Sequence, residues 1–349
     1  MLSQLLNPAN LNRIDELKLL FQRAKPFGHV VIDDFFKQDF CESLLNEFPD
    51  FKDKDAIDEN KTLGKKAVVQ TVSQIGPAYN ALDQLVQSED FMNMVENISG
   101  INHLIYDPYY VGGGTHNNLD GQELDPHVDF THHPLTSHHR RLNLIVYLNH
   151  EWQQSWGGNI EFHKNPRLRP EQDEIICVEP LFNRAVIFET HNTSWHGFPK
   201  IQLPEEKRHL SRKSFALYYY THKRDHTVEP HSTIYVERHL SHDFQPGHAL
   251  SVDDLNEIKV LLKRRDQHLE RLYKTITAQT VEISKLKTEI LQQKTLVGHT
   301  GENAEKIAGL MKLLSFDETR LINRVYELEN STSWKITAPL RTLKRWLNR

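Results

Sequence analysis

Cysteine is nearly absent: Cys41 and Cys177 are the only two in 349 residues. Two thiols make neither a disulfide framework nor a thiolate zinc cage, and their scarcity fits a reducing compartment. Long apolar runs are missing too. None approaches the roughly 20 residues that a spanning helix needs, and the mean hydropathy is −0.59. The opening MLSQLLNPANLNRIDELK has no basic n-region and no long apolar h-region. No signal peptide is therefore expected, and the expected location is cytoplasmic. There is no excess of positive charge: 42 Lys and Arg against 47 Asp and Glu leave −5, which excludes a nucleic-acid binder acting by bulk electrostatics. Low-complexity tracts are absent. What the chain has in quantity is histidine, with 21.

The composition changes near residue 245. Before it lie nearly all the glycines, prolines and aromatics, together with runs rich in β-branched and aromatic residues: HVVIDDFF (29–36), LNLIVYLN (142–149), GGNIEFH (157–163), EIICVEP (174–180), RAVIFET (184–190) and SFALYYYT (214–221). Each is bounded by turn formers or charges and reads as a strand. FCESLLNEF (40–48) and YNALDQLVQSEDFMNMVENI (79–98) carry helical spacing. Helices first, then many strands with no helices between them, predict an α+β fold. Its core is an antiparallel β-rich body with flanking N-terminal helices packed on one side.

After Gly247 the pattern is a heptad. Leu255, Ile258, Leu262, Arg265, Leu269, Leu272, Ile276, Gln279, Ile283, Leu286 and Ile290 alternate steps of three and four without a slip. This predicts a coiled coil over 250–296 and a homo-oligomer through it, with Arg265 and Gln279 setting register. VGHTGEN interrupts it, a second helical segment follows over 302–330, and a basic amphipathic tail closes the chain over 331–349. That tail includes WKITAPLRTLKRWLNR, with five basic residues, no acid, and Trp and Leu interleaved. It suits a peripheral contact with an anionic membrane surface at the inner face.

The chemistry gathers in DPHVDFTHH (125–133). Side chains alternate along an extended segment, so His127 and Asp129 share a face and can chelate one cation. HxD arises readily by chance among 21 histidines, so a third ligand must come from elsewhere. The candidate is His196 in TSWHGFP, with His191 as its rival. Two imidazoles and one carboxylate on one side of a metal leave the other positions open, as in the facial triad of non-haem iron(II) oxygenases. His132, His133, His138 and His139 read as solvated loop residues, and His116, His150 and His163 as structural. Sixteen residues beyond His196, Arg212 opens RKSFALYYYT, with Ser214 on the same strand face. An arginine there can grip a carboxylate through a bidentate fork, which points to 2-oxoglutarate as cosubstrate.

With these residues in place the sequence resembles the prolyl-4-hydroxylase-like 2-oxoglutarate- and iron(II)-dependent oxygenases. The matching stretches are PFGHVVIDDFF, DPYYVGGGTHNNLDGQELDPHVDF, RRLNLIVYLNHEWQQSWGGNIEFH, FNRAVIFETHNTSWHGFP and RKSFALYYYT, in family order over roughly 25–222. The resemblance implies a double-stranded β-helix, or jelly-roll, core within an oxygenase domain over 1–245. It implies that His127, Asp129 and His196 bind Fe(II), that Arg212 binds the distal carboxylate of 2-oxoglutarate, and that Tyr147 donates to the same carboxylate. O2 is the co-reactant, and ascorbate a candidate ancillary reductant. PKIQLPEEKRHLS lengthens the interval from His196 to the arginine, which makes Arg208 a rival for Arg212. The expected reaction is hydroxylation of a protein or glycan substrate at a mouth near Tyr109, Tyr110 and the glycines at 112–114. NSTSWKITAPLR is similar to the SxSWRxTxPLR segment closing many bacterial glycosyltransferase and surface-polysaccharide proteins. That similarity supports the glycan reading. It also supports an alternative, a coiled-coil scaffold carrying a degenerate oxygenase domain.

Overall fold

The computed structural model describes residues 2–52, 55–56, 66–224, 228, 230–240, 244–245, 247–296 and 309. The 302–330 helical segment, apart from residue 309, and the 331–349 tail lie outside the described residues. The chain divides into two units, 1–261 and 262–349.

Period-two alternation builds the core of the first unit. Strands β1 (His29–Ile32), β2 (Ala67–Val69), β3 (Ile105–Tyr106), β4 (Gly114–Asn118), β5 (Leu124–Val128) and β6 (His139–Tyr147) come first. They are followed by β7 (Ile160–His163), β8 (Ile175–Val178), β9 (Arg184–Glu189), β10 (Trp195–Phe198), β11 (Arg212–Thr221) and β12 (Ile234–Tyr235). The larger sheet runs β1-β9-β6-β11-β4-β2, with β3 added to β11; the smaller runs β12-β5-β10-β7-β8. Every pairing is antiparallel. From β4 to β11 the chain passes back and forth between the sheets, as a jelly roll requires.

The two faces of the larger sheet do different work. Leu142, Leu144, Val146, Ala185, Ile187, Phe215, Leu217 and Tyr219 are buried in one cluster with residues of the N-terminal helices. These helices are α1 (Leu2–Leu5), α2 (Pro8–Leu11), α3 (Ile14–Arg23), α4 (Gln38–Asn46), α5 (Pro77–Val86) and α6 (Glu89–Ser99). The residues in between, Tyr147, Val186 and Phe188, pack against Ile160, Phe162 and Val178 of the smaller sheet. Each such fully buried side chain contributes about 1.5–3 kcal/mol. The candidate site lies on this second face.

One helix and several short strands differ from the sequence reading. The helix expected over 79–98 is two helices, because Ser88 caps the second one, its hydroxyl accepting from Phe91 N at 3.4 Å. Strands β2, β3, β4, β5, β10 and β12 were not among the expected strands; they are two to five residues long, and GTHNN and LDPHV lack the apolar alternation that marks a strand. After the jelly roll, α7 (Val252–Leu296) is one continuous helix covering the heptad. Among the described residues no helix is long and apolar enough to cross a membrane.

Candidate metal and cosubstrate site

β5 and β10 pair so that His127 stands directly across from His196, with ring centroids 4.3 Å apart. The same local device orients both rings. His127 Nδ1 lies 3.0 Å from the carbonyl of Asp125, and His196 Nδ1 lies 2.9 Å from that of Ser194. A carbonyl only accepts, so Nδ1 donates in each ring and Nε2 presents its lone pair to the pocket. Asp129 follows the end of β5. Its oxygens lie 3.7 Å from His127 Nε2 and 3.5 Å from His196 Nε2, too long for hydrogen bonds. The three donor groups lie within 4.8 Å of one another, and among the described residues no other set of histidine, cysteine and acidic side chains does so.

Asp129 is held from behind. Its Oδ2 accepts from Asn143 Nδ2 at 2.9 Å and from Arg140 Nη2 at 3.0 Å. Arg140 also donates to Asn143 Oδ1 at 2.9 and 3.1 Å and lies 3.5 Å above the Tyr218 ring. Burial pushes the Asp129 carboxyl up, but Arg140, then the two histidines and Asn143, outweigh it and hold the group well below the usual range. Burial and the neighbouring His196 push His127 down to about 3, and burial pushes His196 down as well. At neutral pH the site therefore offers two neutral imidazoles and one carboxylate, the protonation state in which these groups ligate a metal.

A pH dependence follows. The imidazole protons are already off, so Mn(II) affinity is expected to vary by less than about threefold from about pH 8 to about pH 6, where exposed histidines would titrate. Titration calorimetry checks this. A loss of about tenfold over that interval would mean the rings are solvated.

Arg212 opens β11 and is buried. Its Nε donates to the carbonyl of Gly158 at 2.6 Å and its Nη2 to the hydroxyl of Tyr147 at 3.3 Å. The guanidinium lies 4.3 Å from the Phe198 ring and 5.0 Å from the Tyr147 ring. Gly158 is glycine for two reasons: its φ is +70°, and a Cβ there would sit 3.1 Å from Arg212 Cδ. Among the described residues no carboxylate pairs with Arg212, although leaving a buried cation without a counter-charge costs several kcal/mol. Ser214, two residues on, is buried opposite both Tyr147 and His116. Arg208 instead projects to solvent, 3.7 Å from Asp120.

The other candidates separate from this centre. His191 turns to Thr193, and His163 to Asp173 and Glu161. His150 stacks on Phe182. His133 is not a solvated loop residue: it is buried, 3.2 Å from Asp107, and its Nδ1 accepts from the amides of Leu135 and Thr136. Of the expected mouth, Tyr109 is exposed, but Tyr110 is buried and donates to Asp83 at 2.7 Å. The glycines beside it serve close backbone packing rather than a lid, since a Cβ on Gly114 would meet the Val69 carbonyl at 2.1 Å.

Three pocket residues escaped the sequence reading, Arg140, Asn143 and Lys66, and a fourth, His116, was read there as structural. Arg140 could not be placed by alternation. The pairing of β6 with β11 slips between Tyr219 and Tyr220, so that Arg140 rather than Arg141 comes inside. Asn143, three residues on, carried a findable signal as a polar residue amid LNLIVYL.

Residues 113–220 match the model described as the 2OG-Fe(II) oxygenase superfamily. That segment, which holds His127, Asp129, His196 and Arg212, is similar to a 2OG-Fe(II) oxygenase domain. The mouse prolyl 3-hydroxylase OGFOD1 is 28% identical over 202 residues, covering 53% of this chain and 32% of the relative. The chain thus spans about a third of the length of that curated relative. Among solved structures, a prolyl 4-hydroxylase from Phytophthora capsici aligns over 87% of this chain and 92% of its own, at 18% identity and TM-score 0.42. HygX from Streptomyces hygroscopicus, with nickel and 2-oxoglutarate bound, aligns over 64% of this chain and 96% of its own, at 14% identity and TM-score 0.41.

Proposed function

We propose that this protein is an Fe(II)- and 2-oxoglutarate-dependent dioxygenase that hydroxylates a C–H bond of a peptidyl, prolyl-like substrate, with succinate and CO2 as co-products. One observation carries the reading. Two neutral imidazoles and a carboxylate converge in a pocket that also holds a buried arginine with no acidic partner among the described residues. The residues fit the groups they would hold. His127, Asp129 and His196 form a nitrogen and oxygen donor set suited to iron(II). Arg212, with Tyr147 beside it and Ser214 on the same strand, supplies the counter-charge for a distal carboxylate.

When bound, iron and 2-oxoglutarate supply O2 activation and the oxidising power for C–H hydroxylation. The protein's part is positional. Asn143 and Arg140 fix the Asp129 carboxylate and keep it ionised. The carbonyls of Asp125 and Ser194 fix the two imidazole tautomers. Phe188, edge-on to His196 at 4.7 Å, and Phe162 keep one side of the centre dry. The peptidyl reading draws on the mouse relative named as a prolyl 3-hydroxylase. The glycan reading draws on the tail motif outside the described residues.

The test is spectroscopic. Protein purified without oxygen, given iron(II) and then 2-oxoglutarate, is expected to show a visible metal-to-ligand charge-transfer band and, on aeration, to release succinate. Folded, metal-replete protein without the band would remove the oxygenase reading and favour the scaffold.

We propose further that α7 pairs with a second copy of the chain. Its seam residues Leu255 and Leu286 are 42% and 38% exposed, and the heptad is unbroken over 255–290. Sedimentation at micromolar concentration is expected to give a dimer or trimer; a monomer would remove this proposal.

A further inference from the structure

The pocket holds a cation that the proposed cosubstrate does not use. Lys66 lies two residues before Val68, which pairs with His116 on β4, and His116 in turn pairs with Ser214 on β11. Lys66, His116 and Ser214 therefore line the same face of the larger sheet, with Lys66 toward its outer strand β2. The Lys66 ammonium is 3.4 Å from His116 Nε2. That nitrogen is also 3.1 Å from the Gly112 carbonyl. A carbonyl only accepts, so Nε2 carries the proton and donates to it. The ammonium, itself purely a donor, then finds no acceptor on the imidazole.

Among the described residues no carboxylate lies within ion-pair distance of Lys66. Burial lowers its pKa to about 8, with Asp129 opposing and Arg212 and Arg140 reinforcing the fall, so it remains mostly charged at neutral pH. Burial keeps His116 neutral, its pKa far down.

The charges can be counted on the proposed reading. Iron(II) brings two positive charges, met by Asp129 and one carboxylate of 2-oxoglutarate. The other carboxylate meets Arg212. Arg140 and Lys66 remain; Arg140 shares Asp129 with the metal, and no anion is assigned to Lys66. Arg140 is enclosed by Asp129, Asn143, Phe130 and Tyr218, whereas Lys66 is only half-buried. A cation left uncompensated beside an ion-binding centre is stabilised by an arriving anion.

We propose that Lys66 is a substrate-binding residue: it receives an anionic group of the substrate, a carboxylate or a phosphate, and so selects a substrate carrying that charge close to the C–H bond it presents. The inference rests on the dioxygenase reading and names the substrate class for it.

The test uses the full-length protein loaded with Mn(II) and saturating 2-oxoglutarate. Two probes are added separately: inorganic phosphate, read by 31P relaxation, and 13C-labelled acetate, read by 13C relaxation. In wild type, at least one probe is expected to relax strongly by proximity to Mn(II). Lys66→Met is expected to reduce that enhancement by at least about tenfold and Lys66→Arg to retain most of it. The arm that responds says whether the subsite takes phosphate or carboxylate.

Each failure has its own signature. If Mn(II) does not bind, the dioxygenase reading falls and this inference with it. If Mn(II) and 2-oxoglutarate bind but neither probe responds to Lys66, the dioxygenase reading stands and the inference is overturned. If Lys66→Met instead raises the 2-oxoglutarate dissociation constant about tenfold and leaves both probes unaltered, Lys66 is a second anchor of the cosubstrate and the inference is likewise overturned.

Discussion

Asp129→Asn is expected to abolish the charge-transfer band and substrate turnover while leaving the protein folded. Carboxylate and amide are nearly the same shape, so the carbonyl oxygen of the new side chain can still accept from Arg140. What is lost is the anion among the three donors. Changes to groups that merely support a metal ligand cost about 10–100-fold in metal affinity; replacing the ligand itself is expected to cost more than about 100-fold. Mn(II) titration with thermal melting alongside checks both halves. Asp129→Ala is expected to behave differently in the melt. It removes the carboxylate that Arg140 faces at 3.0 Å and leaves a guanidinium 2% exposed with no counter-charge, held by Asn143 and the Tyr218 and Phe130 rings. Breaking a buried pair on one side costs about 3–5 kcal/mol, so the alanine variant is expected to melt well below the asparagine variant. Wild-type metal affinity in Asp129→Asn would rule out the triad.

The second large effect belongs to Arg212→Met. Deleting a buried, hydrogen-bonded charge that an anion pairs with costs about 2–5 kcal/mol. At about 1.4 kcal/mol per tenfold, the 2-oxoglutarate needed for half-saturation should rise roughly 30-fold or more. Metal affinity without cosubstrate should change little, because Arg212 contacts Gly158, Tyr147 and Phe198 rather than the triad. The unliganded variant should be no less stable than wild type, since the wild-type pocket keeps this cation without an acidic partner among the described residues. Arg208→Met, at a residue facing solvent and Asp120, should leave 2-oxoglutarate binding unchanged. A metal enzyme that does not use 2-oxoglutarate would keep most of its activity in Arg212→Met, and that outcome would displace the dioxygenase reading.

Much of this candidate site is legible in the sequence, and the reason is periodicity. In HVD the spacing of two puts imidazole and carboxylate on one face. In RKS the same spacing puts Arg212 and Ser214 on one face. The strands carrying the core, β6, β9 and β11, were legible because their apolar residues are continuous and β-branched or aromatic. The polar strands were not. GTHNN and LDPHV form strands because β11 and β10 supply hydrogen-bonding partners, a cause their own composition does not contain. The break at Ser88 was in the text as a capping residue but was overridden by helical spacing on both sides.

What the sequence by itself determined is the inventory and its local geometry. It held one HxD pair, candidate third histidines, candidate arginines and a strand order compatible with a jelly roll. Tertiary structure decided between the preferred residues and their rivals. Antiparallel pairing of β5 with β10 set His196, not His191, across from His127. Burial beneath Phe198 and Tyr147 placed Arg212 inside, while Arg208 stayed in solvent. A slip of one residue between β6 and β11 turned Arg140 inward against Asp129, and the edge strand β2 carried Lys66 to the same pocket from fifty residues before His116. These outcomes depend on which strands meet and in what register. Register is set by long-range packing, and a local reading of spacing does not contain it.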